Sequence, residues 1–339
     1  MQNLATRQAI TPVILAMALA SAGWYLAMIL NPHNVGHPVA YTLLLIADGI
    51  GLAQLLSIWI SVLIAPPERD KYEVVAVRNA LLRNHALGGK IAVFVPVAGE
   101  PIEIIRETAK AARDIKIPHE TYILDDGRSD EVQILAQDLK VGYIRRNSRA
   151  GWKAGNINNG LKHVKCEYFA IFDSDHVAHP EFLLQTLPHL LADPQVAFVQ
   201  TPQHLVNRET FIGGGIAESQ EAFYRHIQVA KNKFNAAFCV GTNVLFRTKA
   251  VAEIGGMYAK SNSEDIWTSI LLHERGWKSV YLPVVLASGL APDSVESYFR
   301  QQFRWARGGY EILFSRNPLL NKKFTLDQKL QYLASAMFS

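Results

Sequence analysis

The pattern of apolar and polar positions divides the chain into an apolar N-terminal part and a longer part in which strands and helices alternate. The uncharged run Thr11–Leu30 rises by about 1.5 Å per residue as a helix, which gives roughly the 30 Å of one hydrocarbon core. After the turn Asn31–Pro38, a second apolar run covers Val39–Ala65. The pattern therefore predicts a transmembrane helical hairpin at 11–65, preceded by a short N-terminus at 1–10.

The charges that flank these runs predict the orientation of the hairpin. Arg7 lies before the first run, Arg69 and Lys71 follow the second, and the connecting turn has neither Lys nor Arg. By the positive-inside rule, both ends lie in the cytoplasm. Asp48 lies inside the second run, where burying a carboxylate in lipid costs a few kcal/mol. We expect it to make an interhelical hydrogen bond, with Gln54 of a neighbouring molecule as the candidate partner, and a place beside a polar conduit is the alternative.

The rest of the chain begins with an amphipathic linker at 66–90, in which a helix is predicted from Asp70 to Lys90. Buried strands are predicted at Ile91–Pro96, Thr121–Leu124, Val141–Arg146, Tyr168–Phe172 and Val196–Gln200. Helices are predicted at Pro101–Ile115, Ser129–Leu139, Lys153–Val164 and Pro180–Leu191, and a flexible loop at Gly213–Gly215. This alternation is typical of an α/β fold with a mainly parallel sheet covered by helices. In such sheets, ligands bind beyond the carboxyl ends of the strands.

Composition excludes several classes of protein. The hydrophobic fraction of 49% is high, and the excess of hydrophobic residues lies at the N-terminus. The net charge of +4 gives no reason to expect a nucleic-acid partner. No G-x-G-x-x-G or G-K-[ST] sequence follows a strand, so dinucleotide and P-loop sites are not supported. Cys166 and Cys239 have no disulfide or metal spacing. His176, His179 and His273 have no zinc-like spacing either, and we assign no metal to them.

Carboxylates follow two of the predicted strands at the point where each strand ends. Asp125 and Asp126 precede Gly127, and Asp173 and Asp175 follow the strand Y-F-A-I-F one residue apart. Oxygen ligands in this arrangement suit Mg²⁺ or Mn²⁺ bridged to a diphosphate. For both sequences the alternative interpretation is a turn at the end of a strand.

Three further positions are candidates for substrate chemistry. Lys153 opens a helix and is a candidate diphosphate contact, with a surface lysine as the alternative. Ser263 is predicted to cap a helix whose first turn contains Glu264 and Asp265; Asp265 is either part of that cap or a general base. The segment around Cys239 either lines an acceptor groove or is a buried turn with a core thiol.

The stretch 288–310 predicts a helix that starts at Asp293 or Ser294 and ends at Gly308-Gly309. Its side chains include an amide, a guanidinium and an indole, which together suit a sugar diphosphate. An ordinary amphipathic helix with a buried tryptophan is the alternative. These side chains have the spacing Q-x-x-R-W and are Gln301, Arg304 and Trp305.

Taken in order, the D-D-G, D-x-D, E-D and Q-x-x-R-W sequences resemble those of processive family 2 glycosyltransferases. The resemblance is strongest to bacterial cellulose synthase catalytic subunits and cellulose-synthase-like β-glucan synthases, and it covers about 91–313. It implies a GT-A fold for this segment, a UDP-sugar donor with UDP-glucose foremost, inversion at the anomeric carbon and Mg²⁺ as cofactor, with Mn²⁺ as the alternative. It also implies an integral protein of the bacterial inner membrane with a cytoplasmic catalytic domain.

The resemblance also implies roles for individual residues. In the donor site, Glu100 and Asp126 hold uridine, Lys153 contacts the phosphates, and Asp173 and Asp175 hold the donor and the metal. Asp265 is the catalytic base and Cys239 lies by the acceptor end. The diphosphate and the terminal acceptor sugar are bound by Gln301, Arg304 and Trp305. The implied partners are the growing polysaccharide, membrane lipid and an accessory secretion subunit.

The chain departs from this family in several places. Val97–Glu100 replaces the usual T-Y-N-E, so the aromatic residue that would stack on uracil is missing, and Ser263 replaces a threonine. Thr325 and Gln328 form a capping box in 314–339, which we expect to be an interfacial helix leading to further membrane helices. Two other functions stay open. One is non-processive transfer of a single sugar to a lipid or short acceptor, and the other is a catalytically silent binding or scaffold subunit.

Overall fold

The computed structural model describes residues 2–64, 70–292 and 294–337. Contacts divide the chain into two compact units, Met1–Pro66 and Pro67–Ser339. The first unit contains two long helices, α1 (Gln2–Ile29) and α2 (Pro38–Ile64), which a 3₁₀ turn at Pro32–Asn34 connects. The helical hairpin predicted at 11–65 is therefore present over its described residues, and its predicted last residue, Ala65, lies outside them.

The two helices differ in their suitability as membrane spans. In α2, the segment Pro38–Leu56 is long and apolar enough to cross a membrane, with a mean hydropathy of 1.8, whereas the apolar stretch Val13–Ile29 in α1 is shorter. Asp48 accepts a 2.9 Å hydrogen bond from the Tyr25 hydroxyl. The expected interhelical bond of Asp48 is thus present within the chain, with Tyr25 as its partner.

The second unit is built on a seven-stranded sheet. The strands are β1 (Ile91–Val97), β2 (Glu120–Asp125), β3 (Gly142–Arg145), β4 (Tyr168–Ile171), β5 (Val177–Ala178), β6 (Val196–Gln200), β7 (His204–Leu205), β8 (Val244–Arg247), β9 (Lys278–Tyr281) and β10 (Ala287–Gly289). Their order in the main sheet is β3-β2-β1-β4-β8-β6-β9, and β5, β10 and β7 form a small second sheet. Only β8 runs antiparallel to its neighbours in the main sheet, so the prediction of a mainly parallel sheet is confirmed.

The helices of this unit cover both faces of the sheet. They are α3 (Tyr72–Arg83), α4 (Ile102–Arg113), α5 (Asp130–Leu139), α6 (Trp152–His163), α7 (Phe182–Ala192), α8 (Phe211–Ala222), α9 (Gln228–Lys233), α10 (Thr248–Glu253), α11 (Glu264–Glu274), α12 (Val295–Ser315) and α13 (Leu326–Met337). β1 is buried at every position because an apolar layer packs on each of its faces. Val95 packs with Ile105 of α4 on one face, and Phe94 packs with Phe169 on the other. Apolar clusters therefore cover both faces of the sheet.

Three element boundaries differ from the predictions, and the structure shows a cause for each difference. The linker helix ends at Arg83, not Lys90, because a 3₁₀ turn follows at His85–Gly88. Gly213–Gly215 is not a loop but lies inside α8, where the Thr210 hydroxyl accepts a hydrogen bond from the Gly213 amide. The helix predicted to stop at Gly308-Gly309 continues to Ser315, since that glycine pair is buried in a contact within the fold.

The strand register brings the candidate residues to one edge. Val97 pairs with Asp125, and Asp125 pairs with Arg145, so the last residues of β1, β2 and β3 are neighbours. Phe94 pairs with Ile171 near the end of β4, and Asp173 follows two residues later. The acidic sequences that follow β2 and β4 therefore leave the sheet on the same side, as the parallel arrangement predicts.

Candidate active site

The turns that follow β1 and β2 are in contact. The Glu100 carboxylate accepts a 2.7 Å hydrogen bond from the Ala98 amide, which shapes the first turn. An ideal Cβ on Gly127 would lie 3.0 Å from the Gly99 nitrogen. The amide of Asp126 donates a 2.8 Å hydrogen bond to the Val97 carbonyl. The structure thus brings Glu100 and Asp126, the two residues expected at the uridine, to adjoining turns.

The two aspartates of the D-D-G sequence have different surroundings. Asp125 is fully buried and accepts hydrogen bonds of 2.8 Å from the amides of Arg128 and Ser129 and of 2.6 Å from the Tyr143 hydroxyl. It therefore anchors the turn, as the alternative interpretation predicts. Asp126 forms a two-bond ion pair with Arg146, in which both side chains are 8% exposed.

Lys153 and Asp173 form an ion pair at the start of α6. The Asp173 amide donates a 2.9 Å hydrogen bond to the Thr242 hydroxyl, which fixes the turn after β4. Burial on its own lowers the pKa of the Lys153 ammonium, but the carboxylates of Asp173, Glu264 and Asp265 outweigh it and raise that pKa. The ammonium group is therefore a fixed positive charge among three carboxylates.

Asp173, Asp175 and His176 form a candidate metal site, with ligand atoms that lie within 4.8 Å of one another. The Nδ1 atom of His176 is 2.8 Å from a carboxylate oxygen of Asp175. Burial raises the pKa of Asp175, but the hydrogen bond and charge of His176, a backbone hydrogen bond and the Lys153 charge together outweigh burial and lower that pKa. Two carboxylates with an imidazole beside them fit Mg²⁺ or Mn²⁺. We assigned no metal to His176 from its spacing; the structure places its imidazole beside the carboxylate pair rather than beside other histidines.

The other two histidines lie outside this group. The His179 amide donates a 2.8 Å hydrogen bond to the Leu286 carbonyl in the small sheet. His273 is buried between the hydroxyls of Tyr332 and Ser279, at 2.7 and 3.0 Å. Within the described residues, neither belongs to this ligand group.

Glu264 and Asp265 lie in the first turn of α11. Ser263 occupies the N-cap position, but its side chain accepts no capping hydrogen bond, so the predicted cap is wrong. The Asp265 carboxylate instead accepts a 2.8 Å hydrogen bond from the Ile266 amide. Burial raises the pKa of Asp265, although that amide and the charges of Lys153 and Arg304 act in the opposite sense. Burial, together with the neighbouring Asp265 carboxylate, raises the pKa of Glu264 to about 7.

Gly241 lies at the point where these groups meet. Its φ of +85° is in the left-handed region, and an ideal Cβ there would lie 3.3 Å from the Lys153 ammonium and 3.6 Å from an Asp265 carboxylate oxygen. Cys239 is fully buried two residues earlier, and its sulfur accepts a 3.2 Å hydrogen bond from the Gly241 amide. Burial raises the pKa of this thiol well above its usual range. Cys239 is thus a core thiol that anchors the turn at Gly241, which is the alternative interpretation of this segment.

The helix α12 packs directly on the segment that precedes α11. An ideal Cβ on Gly308 would lie 1.7 Å from the Ser263 hydroxyl oxygen and 2.6 Å from its Cβ, so only glycine permits this approach. Ser294 caps α12 by a reciprocal hydrogen-bond pair with Ser297, which confirms one of the two predicted starts. The other, Asp293, lies outside the described residues.

This packing brings part of the Q-x-x-R-W sequence to the carboxylates. Arg304 lines a groove beside Ser263 and acts electrostatically on Asp265. Trp305 follows on α12 and is 38% exposed, so it is not the buried tryptophan of the alternative interpretation. The amide oxygen of Gln301 is buried and has no hydrogen-bond partner among the described residues.

Sequence reasoning missed several of these residues. Arg146 follows β3 at the same sheet edge as the aspartates, and that position was the available signal. The contacts of Gly241 and Gly308 gave no signal in the sequence, because they are made with residues that are distant along the chain. Trp152, beside Lys153, was visible as an aromatic residue in a glycine-flanked turn.

Comparison with known proteins agrees with this geometry. Residues 88–308 match the model of the family described as "Glycosyltransferase like family 2". The UDP-forming cellulose synthase catalytic subunit of Xanthomonas axonopodis pv. citri is 35% identical over 249 residues, which are 71% of this chain and 34% of that protein. A cellulose synthase 1 catalytic subunit of Komagataeibacter xylinus is 35% identical over 255 residues, 73% and 34% of the two chains. The chain therefore spans about a third of the length of these relatives.

A solved structure gives the fold. A mannosyltransferase from Pyrobaculum calidifontis, in complex with GDP-Man and Mn²⁺, superposes with a TM-score of 0.64 at 18% identity. The superposition covers 86% of this chain and 78% of that one. The fold of the second unit is thus the GT-A fold expected from the sequence.

Proposed function

Since the chain belongs to glycosyltransferase family 2, we propose that it is a membrane-bound hexosyltransferase that polymerises a β-glucan from UDP-glucose. It transfers each glucose with inversion and keeps the product between transfers. The observation that carries this proposal is the meeting of Asp265, Lys153 and Asp173 around Gly241, with Arg304 held beside them by the contact between Gly308 and Ser263. A base, cations for a diphosphate and a carboxylate pair for a metal are the parts that such a transfer needs.

Asp265 acts as the general base. Its carboxylate oxygen takes the proton of the acceptor hydroxyl while that hydroxyl oxygen bonds to the anomeric carbon. The bond from the anomeric carbon to the phosphate oxygen breaks, and UDP leaves with the electron pair. Burial favours this role because it raises the pKa of Asp265 and so makes the carboxylate a stronger base than one in water.

The charge that develops on UDP is met by two cations of this chain. Lys153 is held by Asp173, and Arg304 is held over the same site by α12. Positive groups fixed before the reaction stabilise a leaving diphosphate at no cost of reorganisation. Asp173 and Asp175 would hold Mg²⁺ or Mn²⁺, with His176 hydrogen-bonded to Asp175, and the ion would supply further positive charge to the diphosphate when bound.

The remaining assigned residues bind the ends of the two substrates. Glu100 and Asp126 adjoin each other at the end where we place uridine. Trp305 offers a partly exposed indole for the terminal sugar of the acceptor, and Gln301 offers an amide whose oxygen lacks an internal partner. Holding the acceptor hydroxyl against the donor lowers the entropic cost of the transfer. Cys239 contributes to the acceptor end through the backbone that it anchors.

The surface of α12 supports a place at the cytoplasmic face of the membrane. Exposed aromatic side chains recur along it at spacings of a helical stripe, at Phe299, Phe303, Tyr310 and Phe314. Aromatic side chains with neighbouring arginines are typical of helices that lie in the lipid interface.

A spin label at position 303 should be more accessible to oxygen than to a water-soluble nickel chelate, and a label at exposed position 134 of α5 should show the reverse. Equal accessibility at both positions would refute this placement. The spans in α1 and α2, the lipid contact and an accessory secretion subunit all belong to the proposal.

The test uses membranes that contain the protein, radiolabelled UDP-glucose and either Mg²⁺ or Mn²⁺. We expect UDP release and a labelled polymer, and we expect Asp265→Asn to lower the rate by about 10²- to 10⁴-fold while UDP still binds. Asp138→Asn is the matched control, because Asp138 is exposed on α5 and makes no ion pair or hydrogen bond within the described residues. Full polymerisation by Asp265→Asn would remove Asp265 as the base.

The products separate the three candidate functions. A labelled polymer of many sugars supports processive synthesis, and a product that is longer by one sugar supports transfer to a lipid or short acceptor. UDP binding without UDP release from any donor supports a silent subunit. A donor screen with linkage analysis then identifies the sugar.

A further inference from the structure

Trp152 is a large aromatic side chain in an exposed and strained position beside the site. It is 56% exposed, although its neighbour Lys153 is paired with Asp173. Its backbone has a φ of +46°, a left-handed conformation that costs an L-residue other than glycine about 1–2 kcal/mol. An exposed indole in a strained turn adds little to folding, so its position calls for another explanation.

The turn that carries Trp152 is built tightly around Arg146. The Arg146 guanidinium donates hydrogen bonds to the carbonyls of Ala150 and Trp152, at 2.7 and 2.8 Å, and also grips Asp126. The preceding Gly151 has a φ of +73°, and an ideal Cβ there would lie 2.6 Å from the Ala259 side chain. The position of the Trp152 backbone is thus fixed to the carboxylate that we assign to uridine.

The side chain of Trp152 lines the groove that also contains Arg304, Lys260 and Arg307. These three cations make no ion pair or hydrogen bond within the described parts of the chain. The groove also contains Glu311, whose carboxylate accepts a hydrogen bond from the Ser261 hydroxyl, so three cations face one carboxylate there. An excess of cations beside an exposed aromatic ring fits a ligand that combines phosphate charge with a flat ring. The turn after β1, on the other side of Asp126, offers only Val97, Ala98 and Gly99, and so no ring.

From this arrangement we propose that the indole of Trp152 is the surface on which the base and ribose of the donor nucleotide pack. The Trp152 carbonyl is bonded to the arginine that pairs with Asp126, which we place at uridine, and Trp152 also lines the groove whose cations we place at the diphosphate. This assignment rests on the proposed function, because it uses the same donor site. Stacking on an indole does not discriminate between bases, so Trp152 supplies affinity for a nucleotide, while Asp126 and Glu100 select uracil.

The test measures the binding of UDP, GDP and inorganic pyrophosphate to the detergent-solubilised protein by calorimetry, with Mn²⁺ present. Trp152→Asn removes the ring but keeps a residue that tolerates the left-handed backbone, so its folding should be intact. We expect Trp152→Asn to weaken UDP and GDP about five- to a hundredfold and to leave pyrophosphate within about twofold. Trp152→Phe should keep most of the affinity for UDP and lose part of the fluorescence change that UDP causes in the native protein.

The outcomes separate this inference from the proposed function. If the native protein binds no UDP, the proposed donor site fails. If UDP binds and Trp152→Asn binds it equally well, the stacking role fails alone. Equal weakening of UDP and pyrophosphate would show that the variant disturbs the turn and would also overturn the stacking role. A loss confined to cellotriose binding would assign the indole to the acceptor sugar and contradict the inference.

Discussion

Asp265 and Glu264 are adjacent carboxylates that the fold removes from water. Burial raises the pKa of both, and for Glu264 the charge of Asp265 adds to the effect and brings its pKa to about 7. Two interacting acids titrate as a pair, so the first proton of the pair is taken up near neutral pH. A base of this kind is strong enough to take a proton from a sugar hydroxyl but loses its ionised form more readily than a surface aspartate.

The pH dependence of the transfer should show this shift. A general base must be ionised, so kcat/KM should rise with pH through the raised pKa of the pair. We expect the acidic limb of the profile to lie above the ordinary aspartate value of about 4, because burial raises the pKa of Asp265. The profile should be measured at saturating metal in buffers of constant ionic strength. A limb that lies near pH 4 would show that Asp265 is solvated in the working enzyme.

His176 holds Asp175 in the orientation that the candidate metal site needs. Its Nδ1 atom contacts the Asp175 carboxylate, and an ideal Cβ on Gly289 would lie 2.5 Å from its Nε2 atom, so the ring has little freedom. Groups that orient a metal ligand typically change metal affinity by 10- to 100-fold when removed. We therefore expect His176→Ala to require about 10- to 100-fold more Mn²⁺ for half-maximal UDP binding.

The control for this substitution is His163→Ala. His163 lies at the end of α6, and its ring bonds to the Asn159 carbonyl of its own helix. The helix separates it by roughly 15 Å from Lys153 at the other end. Its removal should leave the Mn²⁺ titration unchanged. The same Mn²⁺ requirement in the native protein and in His176→Ala would exclude His176 from the metal site.

The sequence shows which residue types follow the strand ends, but it does not show which contacts each of them makes. Asp125 and Asp126 are equivalent in the sequence, and only the structure shows that the first holds a turn and the second an arginine. His176 was set aside because its spacing to other histidines is wrong. Its partner is the neighbouring carboxylate, and spacing rules for zinc sites do not include such a pair.

At the scale of elements, one glycine decides how α12 meets the site. Alanine at a helical position usually gains about 1 kcal/mol over glycine, but a Cβ on Gly308 would overlap the Ser263 side chain. We expect Gly308→Ala to move α12 away from Ser263, and so to raise the KM for UDP-glucose and lower kcat. Steady-state kinetics at saturating metal measure both constants.

A double-mutant cycle identifies the cause of that loss. Ser263→Gly removes both atoms that the new Cβ would meet, so the double variant should recover much of the lost activity, with a coupling of about 0.5–3 kcal/mol. Gly215→Ala is the matched control, because Gly215 lies in α8 with no heavy atom within 4 Å of an ideal Cβ. It should stabilise the protein slightly and leave both kinetic constants unchanged. Additive effects of the Gly308 and Ser263 substitutions would argue against the contact.

Glycines also mark the limit of prediction for whole elements. Alternation of apolar runs predicted β1, β2, β3, β4 and β6 within one or two residues, since burial on both faces leaves a strong signal, but it did not predict β8 or β9. Glycine clusters misled in two places, at Gly213–Gly215 and Gly308-Gly309, because both lie inside helices. In the second case the glycine serves a close contact with another element, and a local pattern contains no information about that contact.

At the scale of the whole molecule, α13 is held to the core by polar contacts that no local pattern shows. The capping box of Thr325 and Gln328 was predicted and is confirmed, with hydrogen bonds of 3.1 and 3.2 Å. The contacts beyond it join residues that are far apart in sequence. The Tyr332 hydroxyl meets His273, and the Lys231 ammonium donates a 2.5 Å hydrogen bond to the Gln331 carbonyl. These bonds tie α13 to α11 and to α9, the helix that leads into the segment around Cys239.

Lys231 makes the stability of this arrangement depend on pH. It is 2% exposed, and burial lowers its pKa to about 7, whereas the unfolded chain gives it the ordinary value of about 10.4. Between these values the unfolded state binds more protons, so stability should rise as pH increases from 7 to 10.

Lys231→Met keeps the buried stem, and the Gln331 carbonyl keeps a 2.9 Å hydrogen bond from the Ser335 hydroxyl. At pH 6 we expect this variant to have a larger free energy of unfolding than the native protein, by on the order of a few kcal/mol, and so to melt at a higher temperature. The two melting temperatures should converge towards pH 10. Exposed Lys322→Met is the control, with a melting curve like that of the native protein at each pH. Native and Lys231→Met curves that stay parallel across this range would show that the amine remains charged in the fold.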